Sequence, residues 1–344
     1  MKTIATFVVL GLFSLLSRAD PAPDSAGTTA PVEIGHGMNF GNFLEAPPGS
    51  GWGRALTDND FVLVKQAGFT TVRVPICWSG SLLNDGNFTI DPAFLAKIDW
   101  VVAEAKKYGL NAILDYHNDG SLMNDPDGQA GRYLATWKQI SAHFKDAPPS
   151  ILFELLNEPN RQLDAPHWNA LLAQALAIVR VDNPHRAVVI GPVRSNNPDY
   201  LKDLVLPEND RDIIVTIHYY RPMKFTHQGA SWVTGAQQWL NTAWEGAPAD
   251  TQPIVSDFDK AAAWGKEHHR PIYLGEFGAF VKGPMDSRAR WIAFVARTAE
   301  AHGFSWTYWE LSSGFGVFDP VTQQWREPLL KALLPQSPLL QHSP

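Results

Sequence analysis

The stretch ILFELLNEPN, residues 151–160, decides how the rest of this sequence is interpreted. Its apolar run has the length and composition of a buried strand, and it stops abruptly at Asn157, Glu158 and Pro159. An ionised carboxylate is costly to bury without a partner, so Glu158 at the tip of such a strand needs a reason. The reason depends on whether other strands end in the same way.

Similar runs recur along the chain and alternate with amphipathic stretches typical of helices, such as the one that begins at Asp91-Pro92 and stops at Gly109. Eight strand–helix units over about 310 residues predict an α/β protein with one (β/α)8 TIM barrel. A doubly wound sheet is the alternative, but GMNFGN at 37–42 is not the GxGxxG turn of that fold. The predicted strands are residues 32–40, 70–76, 110–118, 151–159, 185–192, 212–220, 271–278 and 304–311.

The composition is that of a globular protein, because 45% of the 344 residues are hydrophobic and 18% are charged. With a net charge of −7 and no basic cluster, the chain is not expected to bind nucleic acid. The single Cys77 excludes an internal disulfide and a cysteine-based zinc cluster. Thirteen Trp residues suit a core and also a cleft in which sugar rings stack.

The amino terminus predicts export. Residues 1–19 have Lys2, an apolar segment and Ser17-Arg18-Ala19, the pattern of a signal peptide cleaved after Ala19. A membrane anchor is the rival interpretation, but the apolar run is shorter than the ~20 residues that a span needs. Residues 20–31 are interpreted as a flexible leader, 32–336 as the catalytic barrel and 337–344 as a C-terminal tail. We expect a secreted protein, extracellular or periplasmic, with no membrane association after cleavage and a monomeric state.

Polar groups end each of the predicted strands but the fifth, at the face of a barrel where active sites lie. Alone, each has an ordinary structural explanation. An Arg can be the partner in a structural ion pair, a His or Trp can be a buried core residue, and a Glu can cap a helix. Together they indicate a site. They are Asn42, Arg73, His117, Asn118, Asn157, Glu158, His218, Tyr220, Glu276, Trp309 and Glu310.

Glu158 and Glu276 end the fourth and seventh strands, and paired carboxylates at a barrel mouth are the equipment for glycoside hydrolysis. Burial and repulsion would keep one protonated, whereas Arg73 would keep the other ionised. No His/Asp pattern has the spacing of a hydrolytic zinc site, so neither a metal nor a cofactor is expected. A metal-dependent barrel hydrolase is the alternative.

These residues occur in the order found in glycoside hydrolase family 5, which the chain resembles over nearly its whole mature length. The matching segments are TVRVP, LDYHN, LLNEP, IHYY, GEFG and TYWE. Further segments are similar to the thermophilic-type endoglucanases of this family that also cleave mannan. They are LEAP at 44–47, LMNDP at 122–126, FTHQGA at 225–230 and SSGFGVFD at 312–319.

The resemblance implies a role for each matching residue. Glu158 would be the acid/base and Glu276 the nucleophile, with Arg73 beneath Glu276. Tyr220 would orient Glu276, and His218 would bond near Glu158. Asn157 and His117 would contact the sugar before the scissile bond, and Trp309 would form the floor on which it stacks. The remaining substrate-binding positions are Asn42, Glu45, Asn118, His227, Trp232 and Glu310.

Three positions depart from the subgroup. Asn118 follows His117 where a second histidine is common, Arg194 and Ser195 stand near a missing tryptophan, and Met223 replaces an aromatic residue. These changes affect stacking and hydroxyl contacts rather than the two glutamates.

The expected function is a retaining endo-β-1,4-glycanase that acts on cellulose-like or mixed-linkage glucans, with a polysaccharide (β-glucan, glucomannan or mannan) as its partner. The alternatives are a β-mannanase, an exo-acting β-1,3-glucanase, and a non-catalytic carbohydrate-binding barrel. A purely structural barrel would leave the polar strand ends unexplained.

Overall fold

The computed structural model describes residues 32–47, 49–50 and 52–341. The expected signal peptide (1–19) and leader (20–31) lie outside the described residues, as do residues 342–344 of the expected tail. No helix in the described part is long and apolar enough to cross a membrane.

Eight parallel strands, β1 to β8, close into a barrel in which each pairs with the next and β8 pairs with β1. The (β/α)8 prediction is confirmed. The strands are β1 His36–Asn39, β2 Thr71–Ile76, β3 Asn111–Tyr116, β4 Ile151–Glu154, β5 Val188–Ile190, β6 Ile213–Tyr219, β7 Ile272–Phe277 and β8 Ser305–Tyr308. A small hairpin, β9 Phe318–Asp319 with β10 Gln324–Trp325, follows the barrel.

Helices surround the barrel. The one predicted to begin at Asp91 does so, because the Asp91 side chain accepts from the Ala93 N–H and Pro92 takes the first helical position. The α-helices are Asp58–Ala67, Pro92–Lys107, Gly120–Asn124, Pro126–His143, Ala165–Asp182, Met223–Thr226, Pro248–Glu267, Met285–Ala301 and Glu327–Leu333. The 3₁₀ helices are Ser79–Ser81, Pro198–Asp203, Ala236–Trp239 and Pro338–Leu340.

The fifth strand–helix unit differs from the regular pattern. A tight turn at Val193–Asn196 and the 3₁₀ helix Pro198–Asp203 replace a long helix after β5. Arg194 and Ser195 adopt left-handed backbone conformations (φ 60° and 62°), which no continuous right-handed helix permits.

The barrel interior is layered. Its lower layer is apolar and contains Ile113, Leu152 and Tyr273 among others. Because side chains alternate along a strand, Asp115 and His117 point the same way as Ile113 but nearer the open end. A polar layer therefore rests on an apolar floor.

Gly37 lets β1 approach its neighbours, since a Cβ there would lie 2.5 Å from Thr307 Cγ2 and 2.7 Å from the Thr71 carbonyl.

Candidate active site

The carboxyl ends of the strands open onto a cleft of about 1060 Å³. Most residues predicted from the sequence line it, whereas Arg73 lies beneath and Glu310 to one side. The predicted lining residues are Asn42, Glu45, His117, Asn118, Asn157, Glu158, His218, Tyr220, His227, Trp232, Glu276 and Trp309.

Glu158 and Glu276 face each other across the floor of the cleft. A carboxylate oxygen from each and a ring nitrogen of His218 all lie within 4.8 Å of one another. The two carboxyl groups are therefore near enough to fit the ~5–5.5 Å separation of retaining glycosidases, whereas inverting ones hold theirs ~6.5–9.5 Å apart.

Both oxygens of Glu276 accept strong hydrogen bonds. Arg73 Nη1 donates to Oε1 at 2.8 Å, and the Tyr220 hydroxyl donates to Oε2 at 2.8 Å. Burial raises the pKa of Tyr220 well above its usual value, so this phenol remains a donor. A cationic donor and a hydroxyl together suit an ionised carboxylate.

Glu158 sits in a different environment. The chain beyond β4 stays tied to the sheet through the Asn157 N–H, which donates to the Tyr116 carbonyl at 2.8 Å, and then turns sharply at Glu158 (φ 48°). His218 Nδ1 lies 2.9 Å from Glu158 Oε1. Burial raises the pKa of the Glu158 carboxyl, against smaller opposing effects of His117 and Arg73. The two glutamates thus differ as an acid and a nucleophile must.

A local irregularity of the sheet brings His218 to this pair. The register between β6 and β7 shifts after Ile217, so that His218 pairs with Glu276. The shift requires a glycine at 275, because a Cβ there would lie 2.4 Å from Thr216 Oγ1 and 3.1 Å from His218 Nε2. Burial lowers the pKa of His218 to about 4, so its ring is neutral near pH 7.

Arg73 is fully buried and joins several strands. It bonds Glu154 at 2.7 and 2.8 Å, lies 3.0 Å from Asp115, and also reaches Asn39 and Asn157 at 2.9 Å each. Sequence reasoning missed Asp115 and Glu154, because both sit inside apolar runs and neither ends a predicted strand. Burial raises the pKa of Asp115 to about 7 and that of Glu154 in the same direction.

The substrate-binding candidates near β1 contact one another. Glu45 is buried and accepts from the Asn42 and Phe43 N–H groups, and Asn118 Nδ2 donates to the Glu45 carbonyl at 2.9 Å. Burial raises the pKa of Glu45. Asn42 is held in the left-handed region (φ 64°).

An aromatic wall forms the opposite rim. Trp232, 60% exposed, packs edge-on against Phe280 at 5.0 Å, and His227 packs against Phe315 at 5.4 Å. Phe280, Phe315 and Trp52 also line the cleft, but the sequence analysis did not single them out as site residues, although Phe315 lies within the quoted segment 312–319. Trp309 stacks parallel to His117 with ring centres 5.9 Å apart.

Glu310 does not face the cleft. It is fully buried, and its carboxylate accepts from the N–H groups of Ser312, Ser313 and Phe315. Burial raises its pKa to about 7. The expected substrate contact at Glu310 is therefore corrected: in this structure the residue organises the loop after β8.

The three departures noted in the sequence all reach the cleft, because Asn118, the adjacent Arg194 and Ser195, and Met223 line it. Among the residues that the structure describes, Glu158, His218 and Glu276 are also close enough together to share a metal ion. The Arg73 guanidinium already supplies a positive charge 2.8 Å from Glu276, which disfavours a cation there.

A closed (β/α)8 barrel with two unlike glutamates at its open end defines the class of barrel glycoside hydrolases. Residues 30–314 match the family described as Cellulase (glycosyl hydrolase family 5). The chain belongs to this family.

The similarity to individual relatives agrees with this family assignment. The chain is 30% identical over 307 residues to Endoglucanase H of Acetivibrio thermocellus, covering 88% of this chain but 33% of that protein. The structure is similar to that of endoglucanase Cel5A from Thermotoga maritima, with 42% identity, a TM-score of 0.85, and 87% and 97% of the two chains covered. It is also similar to cellulose synthase subunit Z from Clostridioides difficile, with 35% identity, a TM-score of 0.85, and 88% and 100% covered.

Proposed function

We propose that this chain is a retaining endo-β-1,4-glucanase in which Glu276 is the nucleophile and Glu158 the acid/base. One observation carries the proposal: the two carboxylates approach within 4.8 Å in unlike environments. Glu276 accepts from Arg73 and Tyr220, whereas burial raises the pKa of Glu158.

The first step forms a covalent intermediate. A Glu276 oxygen attacks the anomeric carbon while the bond to the leaving oxygen breaks, and Glu158 gives its proton to that oxygen. In the second step Glu158 removes a proton from water, which attacks the anomeric carbon. The bond to Glu276 breaks, its carboxylate is restored, and the sugar leaves with retained configuration.

The cleft residues supply binding and orientation. The Trp309 ring at the cleft offers an apolar face for the sugar that is cleaved, and Asn157 and His117 offer polar contacts for its hydroxyls. The open aromatic rim of Trp232, Phe280 and Phe315 suits a polymer that extends beyond one sugar.

For the substrate we propose β-1,4-glucans first, with glucomannan and mannan as further polymers. Structures of Thermotoga maritima Cel5A with cellobiose and with mannotriose support this breadth, at 41% identity to this chain. We further propose that the protein is exported and acts as a monomer, on the signal-peptide pattern of residues 1–19 and the neutral polymeric substrate.

The test measures reducing ends released from carboxymethyl-cellulose, barley β-glucan, glucomannan and galactomannan. Glu158→Gln and Glu276→Ala should each lose several orders of magnitude, whereas the exposed Glu267→Gln is the matched control and should keep full activity. The proton NMR spectrum of fresh product should show the β-anomer first. Binding without cleavage of any polymer would favour a non-catalytic barrel, and an α-anomer first would contradict retention.

A further inference from the structure

Four polar side chains form a closed ring of contacts, two of them (His117 and Asn157) lining the cleft and two (Arg73 and Asp115) beneath it. Arg73 Nη2 donates to Asn157 Oδ1 at 2.9 Å, and Asn157 Nδ2 lies 3.3 Å from His117 Nε2. His117 Nδ1 lies 2.6 Å from Asp115 Oδ2, which is 3.0 Å from Arg73 Nη2. Arg73 and Asp115 are fully buried, and His117 and Asn157 are 7% and 9% exposed.

The chemistry of these groups allows one direction around the ring. A guanidinium only donates, so Asn157 must present its amide oxygen to Arg73 and its Nδ2 to His117. His117 Nε2 must then accept, which leaves the ring proton of the neutral imidazole on Nδ1. Asp115 Oδ2 is the acceptor placed to receive that proton's hydrogen bond.

We propose that Asp115 is a positioning residue that fixes the tautomer of His117 and, through it, the orientation of the Asn157 amide. This inference rests on the proposed function, because its consequence for catalysis depends on Asn157 and Glu158 being neighbours at the reacting sugar. Asp115 touches no substrate itself.

Without Asp115, His117 loses the acceptor that holds its proton on Nδ1. With the proton on Nε2 instead, an N–H group would face the Asn157 Nδ2 hydrogens. Asn157 cannot relieve this by rotating its amide, because its NH₂ group would then face Arg73. The amide must move away, and it directly precedes Glu158 in the chain.

Glu154 provides a matched control. Like Asp115 it is fully buried and paired with Arg73, and it accepts hydrogen bonds from Arg73 at 2.7 and 2.8 Å. Among the described contacts, however, it makes no hydrogen bond to a histidine. A purely structural role in neutralising Arg73 would be shared by the two carboxylates, whereas control of the His117 tautomer belongs to Asp115 alone.

The experiment is ¹⁵N NMR of the imidazole nitrogens in the intact protein, with the His117 signals identified by their loss in His117→Gln. The native protein should show His117 protonated at Nδ1. Asp115→Asn should keep this tautomer, because Arg73 requires the amide oxygen at the Oδ2 position, and should keep kcat within about tenfold. Asp115→Leu should lose the single tautomer, with kcat reduced on the order of 10²–10⁴-fold and KM changed much less.

Glu154→Met removes the control carboxylate in the same way and should leave the Nδ1 tautomer intact. The proposal is overturned if native His117 carries its proton on Nε2, or if Glu154→Met disturbs the tautomer as much as Asp115→Leu. If Asp115→Leu does not fold, the position of the His117 ring proton in the spectra of the native protein and of Asp115→Asn tests the proposal. If the native protein cleaves no glycan, the proposed function fails while the spectra still test the tautomer.

Discussion

Replacing Tyr220 with Phe should isolate one hydrogen bond to Glu276, the proposed nucleophile. The Tyr220 hydroxyl donates to Glu276 Oε2 at 2.8 Å, and the ring packs edge-on against His227 at 5.1 Å and Phe315 at 6.0 Å. Since phenylalanine preserves the ring and these contacts, the change removes the hydroxyl and little else.

The magnitude follows from the charge on the acceptor. A hydrogen bond to a charged group contributes about 1.5–3 kcal/mol, and about 1.4 kcal/mol corresponds to a factor of ten in rate. We therefore expect kcat to fall roughly 10- to 150-fold. His218 Nδ1 lies 3.5 Å from the same Oε2 and 2.9 Å from Glu158. If His218 moves toward Glu276 and partly replaces the lost donor, the fall in kcat should be at the lower end of this range.

The assay compares kcat and KM on a soluble β-glucan for the native protein, Tyr220→Phe and Tyr219→Phe. Tyr219 is the matched control, because its hydroxyl is also buried but bonds Asp257 at 3.2 Å, outside the cleft. Tyr219→Phe should cost about 1 kcal/mol of stability and leave kcat unchanged. Native kcat in Tyr220→Phe, or an equal loss in both variants, would refute the assigned orientation of Glu276.

Three further predictions test other parts of the structure. Burial raises the pKa of Glu158, and Ser195, which lines the same cleft, partly offsets this rise. Ser195→Ala should therefore shift the alkaline limb of the pH–rate profile upward, and an unmoved limb would remove Glu158 as its source. Burial lowers the pKa of His227 from 6.5 to about 4, so the unfolded chain binds its proton first and the folded state loses stability as pH falls through this window. His227→Gln should reduce this loss of stability between neutral pH and about pH 4.5 by roughly 2–3 kcal/mol in urea titrations, and an identical loss in both proteins would contradict a buried neutral ring. Gly37→Ala should lower the free energy of unfolding by about 1–3 kcal/mol in the same titrations. Gly120→Ala should not lower it, because a Cβ there meets nothing within 4 Å. Equal stabilities of the two variants would mean that β1 relaxes around the added methyl group.

The barrel was predictable because its strands carry local signals. Apolar runs such as 151–156 and caps such as Asp91-Pro92 are visible in a few consecutive residues, and the polar groups that end all the predicted strands but the fifth follow from the same alignment. The fifth unit was not predictable in this way, because three consecutive left-handed residues at Arg194–Asn196 carry no glycine to mark the turn.

The buried half of the site depends on partners that are distant in sequence. Glu154 resembles an interruption of a strand until it meets Arg73, 81 residues earlier in the chain. Glu310 lies just beyond β8, and Glu276 lies near the end of β7, but the loop after Glu310 folds back and supplies three N–H donors to its carboxylate. Position at a strand end thus identified candidate residues, whereas the direction of each side chain required the tertiary structure.

The same side chain, Arg73, ties the chemistry of this barrel to its stability. It projects from β2 and bonds groups on or just beyond β1, β3, β4 and β7, so it neutralises Asp115 and Glu154 while it supports Glu276. Removing one partner of a buried ion pair costs about 3–5 kcal/mol, and domains are stable by only about 5–15 kcal/mol. Loss of activity in an Arg73 variant would therefore combine unfolding with a catalytic defect. The conservative changes at Tyr220 and Asp115 separate the two, because each leaves Arg73 and its remaining carboxylates in place.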